Sequence, residues 1–312
     1  MKASEQGAPA SSSIRPGQPR DYAKMLVLAG IWGTSFMFIA LSLEGFPPMA
    51  VAAIRVAIGA IVLTLFGLLM REKWPRGLRL WFWISVVGLM NTALPFALIA
   101  IGQQGVDANR AAILMATVPF VTLMLSHLFS HDDRISGAKV FGLTLGISGV
   151  ILVVGVDAIT VGGQSILGQL SIMAAACCYA ISNVLTRKLS HLPPILGTAS
   201  FLVSACVYMV PGLIFFWLPA ELPTNWTPYG ALVALGVGPT AIAYVLRFQV
   251  IRDVGSTFMS QVGYLVPVSG VFWAWAVLNE VPGWTSFLAM ALILAGIRVT
   301  QMKFRKAAPE TL

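Results

Sequence analysis

Hydrogen-bonding and aromatic side chains recur inside otherwise apolar stretches of this sequence. Trp32, Thr34 and Ser35 fall in one such stretch, Asn91 and Thr92 in another. Tyr179 and Asn183 stand four residues apart, one helical turn, and so share a helix face. Tyr244, Ser260, Gln261 and Tyr264 follow later in the chain. All are uncharged donors, acceptors or rings. Together they suit a small zwitterionic or amphipathic solute, whose ammonium can meet carbonyls and ring faces. Any one of them serves equally well as a helix–helix contact in lipid; their convergence carries the binding reading.

One charge interrupts this pattern. In the run "FPPMAVAAIRVAIGAIVLTLFGLLM" (46–70), Arg55 lies seven residues after Pro48, about 10 Å along a helix at ~1.5 Å per residue. Two roles fit it: an outer gate or anchor for a substrate carboxylate, or a structural ion pair with Glu44, Asp107 or Glu280. Pro119 and Pro267 fall near the middle of two further apolar runs. Each removes a helix hydrogen bond and frees the carbonyl four residues earlier, at Met115 and Gly263. In lipid such a carbonyl must be re-satisfied or line a polar cavity. The pair is expected to mark helix breaks or hinges, or else simple packing kinks.

Other chemistries find no residues. The 12 acidic residues occupy tails, loops and ends of apolar runs, and His127, His131 and His191 lie near such ends too. A proton relay built on an intramembrane carboxylate or histidine is therefore not expected. No HExxH, nucleophile elbow, Walker A loop or paired carboxylate lies in the apolar runs, which argues against an enzyme and gives no catalytic residue. The Gly-rich "GVGPT" (236–240) lacks a P-loop lysine and reads as close helix packing. No ring of charges or filter sequence points to a channel. Cys177, Cys178 and Cys206 lack metal-ligand spacing and read as small core residues; no metal and no cofactor is expected.

The elements that must position these residues follow from composition. Of 312 residues, 57% are hydrophobic and 10% charged, far below the roughly 25% charged of soluble domains. A bilayer core of about 30 Å takes roughly 20 apolar residues per helix. Ten such runs are read, near 25–43, 49–70, 80–102, 108–129, 138–156, 168–189, 195–218, 228–249, 256–278 and 284–302. Residues 1–23 are polar and rich in Ser, Gly and Pro, and are expected to form a disordered cytoplasmic tail without a cleavable signal peptide. Residues 305–312 are expected to form a second cytoplasmic tail. With both termini cytoplasmic, all of the 20 Lys and Arg residues except Arg55 and Arg110 fall on the inner side. The net charge of +8 is thus an orientation signal and not a nucleic-acid footprint.

The sequence also repeats. At an offset of 148, "VVGLMNTALPF" (86–96) meets "ALGVGPTAIAY" (234–244), so Gly88 falls on Gly236 and Thr92 on Thr240. "ATVPFVTLML" (116–125) meets "YLVPVSGVFW" (264–273), aligning Pro119 with Pro267. Nearer the start of each half the offset is 146, and Pro47-Pro48 meets Pro193-Pro194. The expected fold is an all-α membrane protein of ten transmembrane helices in two inverted five-helix repeats, 24–157 and 165–304. An odd number of spans turns the second half upside down, an architecture of secondary transporters in which two halves lean around a central site.

These features resemble the drug/metabolite transporter superfamily. They comprise ten spans in two halves, "WGTSFMFI" in the first span, the arginine of "AAIRVAIGA", mid-helix prolines in spans four and nine, and the closing "LNEVPGWTSFLAMALILAGI". In the first half the closing motif reads "SHDDRISGAKVFGLTLGISGVILV", with His131-Asp132 where the family has Gly-Glu. The resemblance covers about residues 25–305, belongs to the EamA branch, and within it is most similar to amino-acid exporters of the YddG type. It implies a multi-pass transporter of the bacterial cytoplasmic membrane that exports amino acids by alternating access. The other readings are efflux of different amphipathic metabolites or drugs, and a membrane protein without transport activity. The expected cavity residues are Trp32, Ser35, Asn91, Tyr179, Asn183, Tyr244, Ser260, Gln261 and Tyr264, with small-molecule substrates and the lipid bilayer as partners and no nucleic acid.

Overall fold

The computed structural model describes residues 16–129, 137–160, 163–186, 189, 192–216, 222–259 and 261–300. Regular structure among them is all helical. The helices are α1 (Pro19–Leu43), α2 (Pro48–Leu69), α3 (Leu78–Gly102), α4 (Ala108–Met115 and, past a two-residue break, Val118–Phe129) and α5 (Gly137–Thr160). They continue with α6 (Gly163–Thr186), α7 (Pro194–Phe216), α8 (Thr227–Val254), α9 (Val262–Leu278) and α10 (Trp284–Thr300). Eight are long and apolar enough to cross a membrane, whereas α9 and α10, at 17 residues each, rise only about 25 Å. The chain is thus a multi-pass membrane protein by helix length and composition, with α9 starting later than the sequence pattern implied.

Helix ends are set by proline and by loop carboxylates. Pro19, Pro48 and Pro194 open α1, α2 and α7, where a missing N–H costs nothing. Asp21 accepts the backbone N–H of Gln18, so α1 starts inside the stretch read as tail. Glu72, between α2 and α3, accepts the N–H groups of Ile195 and Leu196 at the start of α7 (3.4 and 2.7 Å). Glu280 does the same for Ala108 and Asn109 at the start of α4 (3.0 and 2.9 Å). A carboxylate there meets both the orphan donors and the positive helix end. Burial nonetheless pushes the Glu280 carboxyl above the usual carboxylate range, against the pull of those two N–H donors.

The helices pack as α5 on α10, α2 on α7 and α4 on α9, with α1 against both α8 and α9 and α6 against both α3 and α4. Two further crossings, α3 on α7 and α2 on α8, complete the frame. Close approach at these last two requires glycine. A Cβ on Gly88 would stand 2.7 Å from the carbonyl oxygen of Phe201, and one on Gly236 would stand 2.6 Å from Ile58 Cβ and 3.3 Å from the carbonyl oxygen of Arg55. The two glycines that the sequence offset aligns thus each sit at a close helix crossing. Around them an apolar cluster of Ala53, Val56, Ala60, Phe96, Leu202 and Tyr244 joins α2, α3, α7 and α8.

Candidate binding site at the π-helical segments

Both α3 and α8 widen into a π-helical turn at mid-length, over Leu89–Ala93 and Gly238–Ile242. Proline accounts for the second. Pro239 has no N–H, so the Leu235 carbonyl loses its helical donor. The Thr240 hydroxyl replaces it, donating to that carbonyl at 2.9 Å. The carbonyl of Pro239 itself accepts the indole N–H of Trp32 from α1 at 3.2 Å. In α3 the widened turn directly precedes Pro95. Such π turns are frequent at functional sites because they redirect side chains out of the helical register.

Arg55 is built into this arrangement. It is 4% exposed, so it neither snorkels nor reaches the outer carboxylates considered above. Glu280 is occupied at the start of α4, Asp107 pairs with Arg110 at 3.3 Å, and Glu44 is exposed. Instead its Nε–H donates to Thr240 Oγ1 at 3.2 Å and its guanidinium carbon sits 3.7 Å above the centre of the Phe96 ring. Tyr179 and Tyr244 are its electrostatic neighbours. The physical reason for the departure is reach: α2 crosses α8 at Gly236, close enough for the side chain to meet Thr240 inside the bundle.

Of the expected cavity residues, the structure joins Trp32, Asn91 and Tyr244 directly. The Asn91 amide donates to the Tyr244 hydroxyl at 3.3 Å, and the Trp32 and Tyr244 rings meet edge to face at 6.4 Å. Tyr179 packs against the same apolar cluster, with Tyr244 also its electrostatic neighbour. Ser35 is half-buried on α1 and Asn183 is exposed on α6. Gln261 and Tyr264 line a separate cavity of about 540 Å³ with Met25, Leu265 and Arg298. Ser260 lies outside the described residues, as do His131 and Asp132.

The two prolines differ. The break in α4 falls at Ala116–Thr117, just before Pro119, and the Leu114 carbonyl there accepts both the N–H and the hydroxyl of Thr117. Helix α9, by contrast, runs unbroken through Pro267, and its start follows a separate turn, Ser256–Met259. Gly263, whose carbonyl Pro267 frees, is exposed.

Three residues of the site were not anticipated. Thr240 was visible only as a repeat match, and Phe96 looked like any apolar residue. Arg247 reads from the sequence as one of the inner-side bases, at the end of a span read to about 249; α8 continues to Val254 and holds Arg247 5.8 Å from the centre of the Tyr244 ring.

The comparisons agree with the membrane reading. A chain of Bacillus subtilis, the uncharacterized transporter YoaV, is 26% identical over 282 residues, covering 88% of this chain and 94% of that one. The probable amino-acid metabolite efflux pump of Escherichia coli strain K12 is 25% identical, covering 92% and 97%. The S-adenosylmethionine/S-adenosylhomocysteine transporter of Chlamydia trachomatis is 26% identical, covering 81% and 80%. A solved crystal structure superposes with a TM-score of 0.66 at 19% identity over 92% of this chain and 99% of that one, a likeness of fold. The model of the EamA-like transporter family matches twice, at residues 22–155 and 166–302, and the chain belongs to that family.

Proposed function

We propose that this transporter moves amino acids and related small metabolites across the bacterial cytoplasmic membrane by alternating access, with both termini cytoplasmic and export as its direction. One observation carries the reading. The hydrogen-bonded constellation draws Trp32, Arg55 and Asn91 from the first family match and Thr240 and Tyr244 from the second. Any movement of one half against the other remakes that set, which is what a site of alternating exposure requires.

An inverted five-plus-five arrangement is supported by the packing. Exchange each helix for the one five places on: α1–α9 becomes α6–α4, α1–α8 becomes α6–α3, and α2–α8 becomes α7–α3, all of them pairs that pack. The Lys and Arg distribution supports the inner placement of the termini. Amino acids are supported by neutral donors beside ring faces, and by the name of the Escherichia coli relative. A second reading, larger amphipathic metabolites, draws on the aromatic lining and on the nucleoside-bearing solute in the name of the Chlamydia relative.

The test is uptake of a panel of radiolabelled amino acids into proteoliposomes, with and without a pH gradient. Saturable uptake without a gradient, lowered at least about tenfold in Tyr244→Ala, is expected; that ratio corresponds to ~1.4 kcal/mol. Uptake of S-adenosylmethionine but of no amino acid would move the second reading into first place.

A further inference from the structure

We infer that the Arg55 guanidinium is the docking point for an anionic group of the transported solute, so that this site takes carboxylates and rejects their amides and decarboxylated amines. The inference rests on the transport reading of this site and names its substrate chemistry.

The argument starts from donor accounting. A guanidinium carries five N–H donors. Among the described residues only the Nε–H of Arg55 has a hydrogen-bond acceptor, Thr240 Oγ1. No carboxylate of the described residues pairs with it; Asp107 is paired with Arg110, and Glu280 is held at the start of α4. Its remaining donors lie at the two Nη nitrogens. Neither Nη stands among the fully occluded side-chain atoms without partners, which include Thr92 Oγ1 and Tyr264 Oη. A buried, unpaired charge of this kind is costly to hold. A planar fork with free paired donors matches a carboxylate in two-point contact.

The surroundings select against other partners. Phe96 covers one face of the guanidinium, which leaves its edge for an in-plane acceptor. Thr240 fixes the plane, because its hydroxyl is already spent on Leu235 and can only accept from Arg55. Tyr244 and Asn91 bring neutral hydrogen-bonding groups to the same place, and no side-chain carboxylate stands among these contacts to hold a lone ammonium. An amine without an acid group would therefore meet cationic Arg55 without compensation.

The experiment measures binding and flux separately on the full chain. Thermal stabilisation of the purified protein in nanodiscs is titrated with L-phenylalanine, phenylacetate, L-phenylalaninamide and phenethylamine. Flux of the same four is followed in proteoliposomes. Wild type is expected to bind the two carboxylates at least about tenfold more tightly than the two amines, with Arg55→Lys keeping part of the ratio and Arg55→Gln abolishing it. Equal binding of acid and amide by wild type overturns the inference, as does failure of all four to bind or a ratio unchanged in Arg55→Gln. If Arg55→Gln does not fold, the wild-type ratio decides alone. Discrimination in binding without flux of any probe would uphold the anion site and defeat the transport reading instead.

Discussion

The crossing of α3 on α7 and the crossing of α8 on α2 are built alike and filled differently. In each, a glycine lets one helix backbone press on the next, Gly88 on the Phe201 carbonyl and Gly236 on Ile58 and the Arg55 carbonyl. Each glycine is followed four residues on by a fully buried threonine inside a π-helical turn, Thr92 or Thr240. At the first crossing the residue beside the glycine is Phe201, buried among Ile84 and Val87, and the Thr92 hydroxyl has no partner. At the second it is Arg55, and Thr240 is hydrogen-bonded on both sides. The frame therefore needs the glycine and tolerates an apolar neighbour. Packing alone does not call for the arginine, which is the reason to read it as functional.

Replacing the charge with the residue that fills the other crossing tests this most severely. Arg55→Phe should fold, with its new ring against Phe96, and should lose amino-acid flux by about tenfold or more. Size-exclusion profile and flux are the readouts. A variant that aggregates would show that the guanidinium holds the crossing together after all, and the comparison would fail.

The glycines give the next largest effect, and a symmetric one. Gly88→Ala and Gly236→Ala each force a methyl against backbone oxygen or a Cβ atom that cannot swing away. Overpacking of that kind costs about 1–3 kcal/mol. The apparent unfolding midpoints of both variants should fall, and by similar amounts. A fall in only one would mean that the two crossings bear unequal loads.

Much of this frame was legible in the residues, because apolar run length and the need to satisfy every backbone group in lipid leave few choices. The aligned glycines and threonines were legible as well. Helix ends were less so: Asp21 starts α1 early and α8 carries Arg252 past the expected boundary, since a charged side chain can ride on a helix whose backbone bonds are all internal. The two prolines, alike in the sequence, sit differently in the two halves. Pro119 follows a break, while Pro267 is carried inside an unbroken helix, and a lone proline does not reveal whether a neighbouring turn has already relieved it. In the site, polar residues in apolar runs stood out, hence Trp32, Asn91 and Tyr244. The accepting role of Thr240 depends on a contact 185 residues away in sequence, and that of Phe96 on a stacking contact with Arg55 from another helix; neither has a local signature.

The two threonines offer the finest test, because the comparison assigns their substitutions opposite signs. Thr→Val keeps shape and removes a hydroxyl. At Thr240 that hydroxyl answers both the Leu235 carbonyl and the Arg55 guanidinium, so Thr240→Val strands two buried groups, one of them charged, at a cost of about 1–3 kcal/mol. At Thr92 the hydroxyl is buried with no partner, so Thr92→Val removes an unsatisfied group and should leave stability unchanged or raised by up to about 1 kcal/mol. Unfolding midpoints of the two variants, measured side by side, should move apart. Equal losses would mean that Thr92 has a partner in the membrane, and the second crossing would then no longer be distinguished by its hydrogen bonds. Equal indifference would mean that the Arg55 guanidinium does not depend on Thr240 for its position, and the fixed plane on which carboxylate selection rests would go with it.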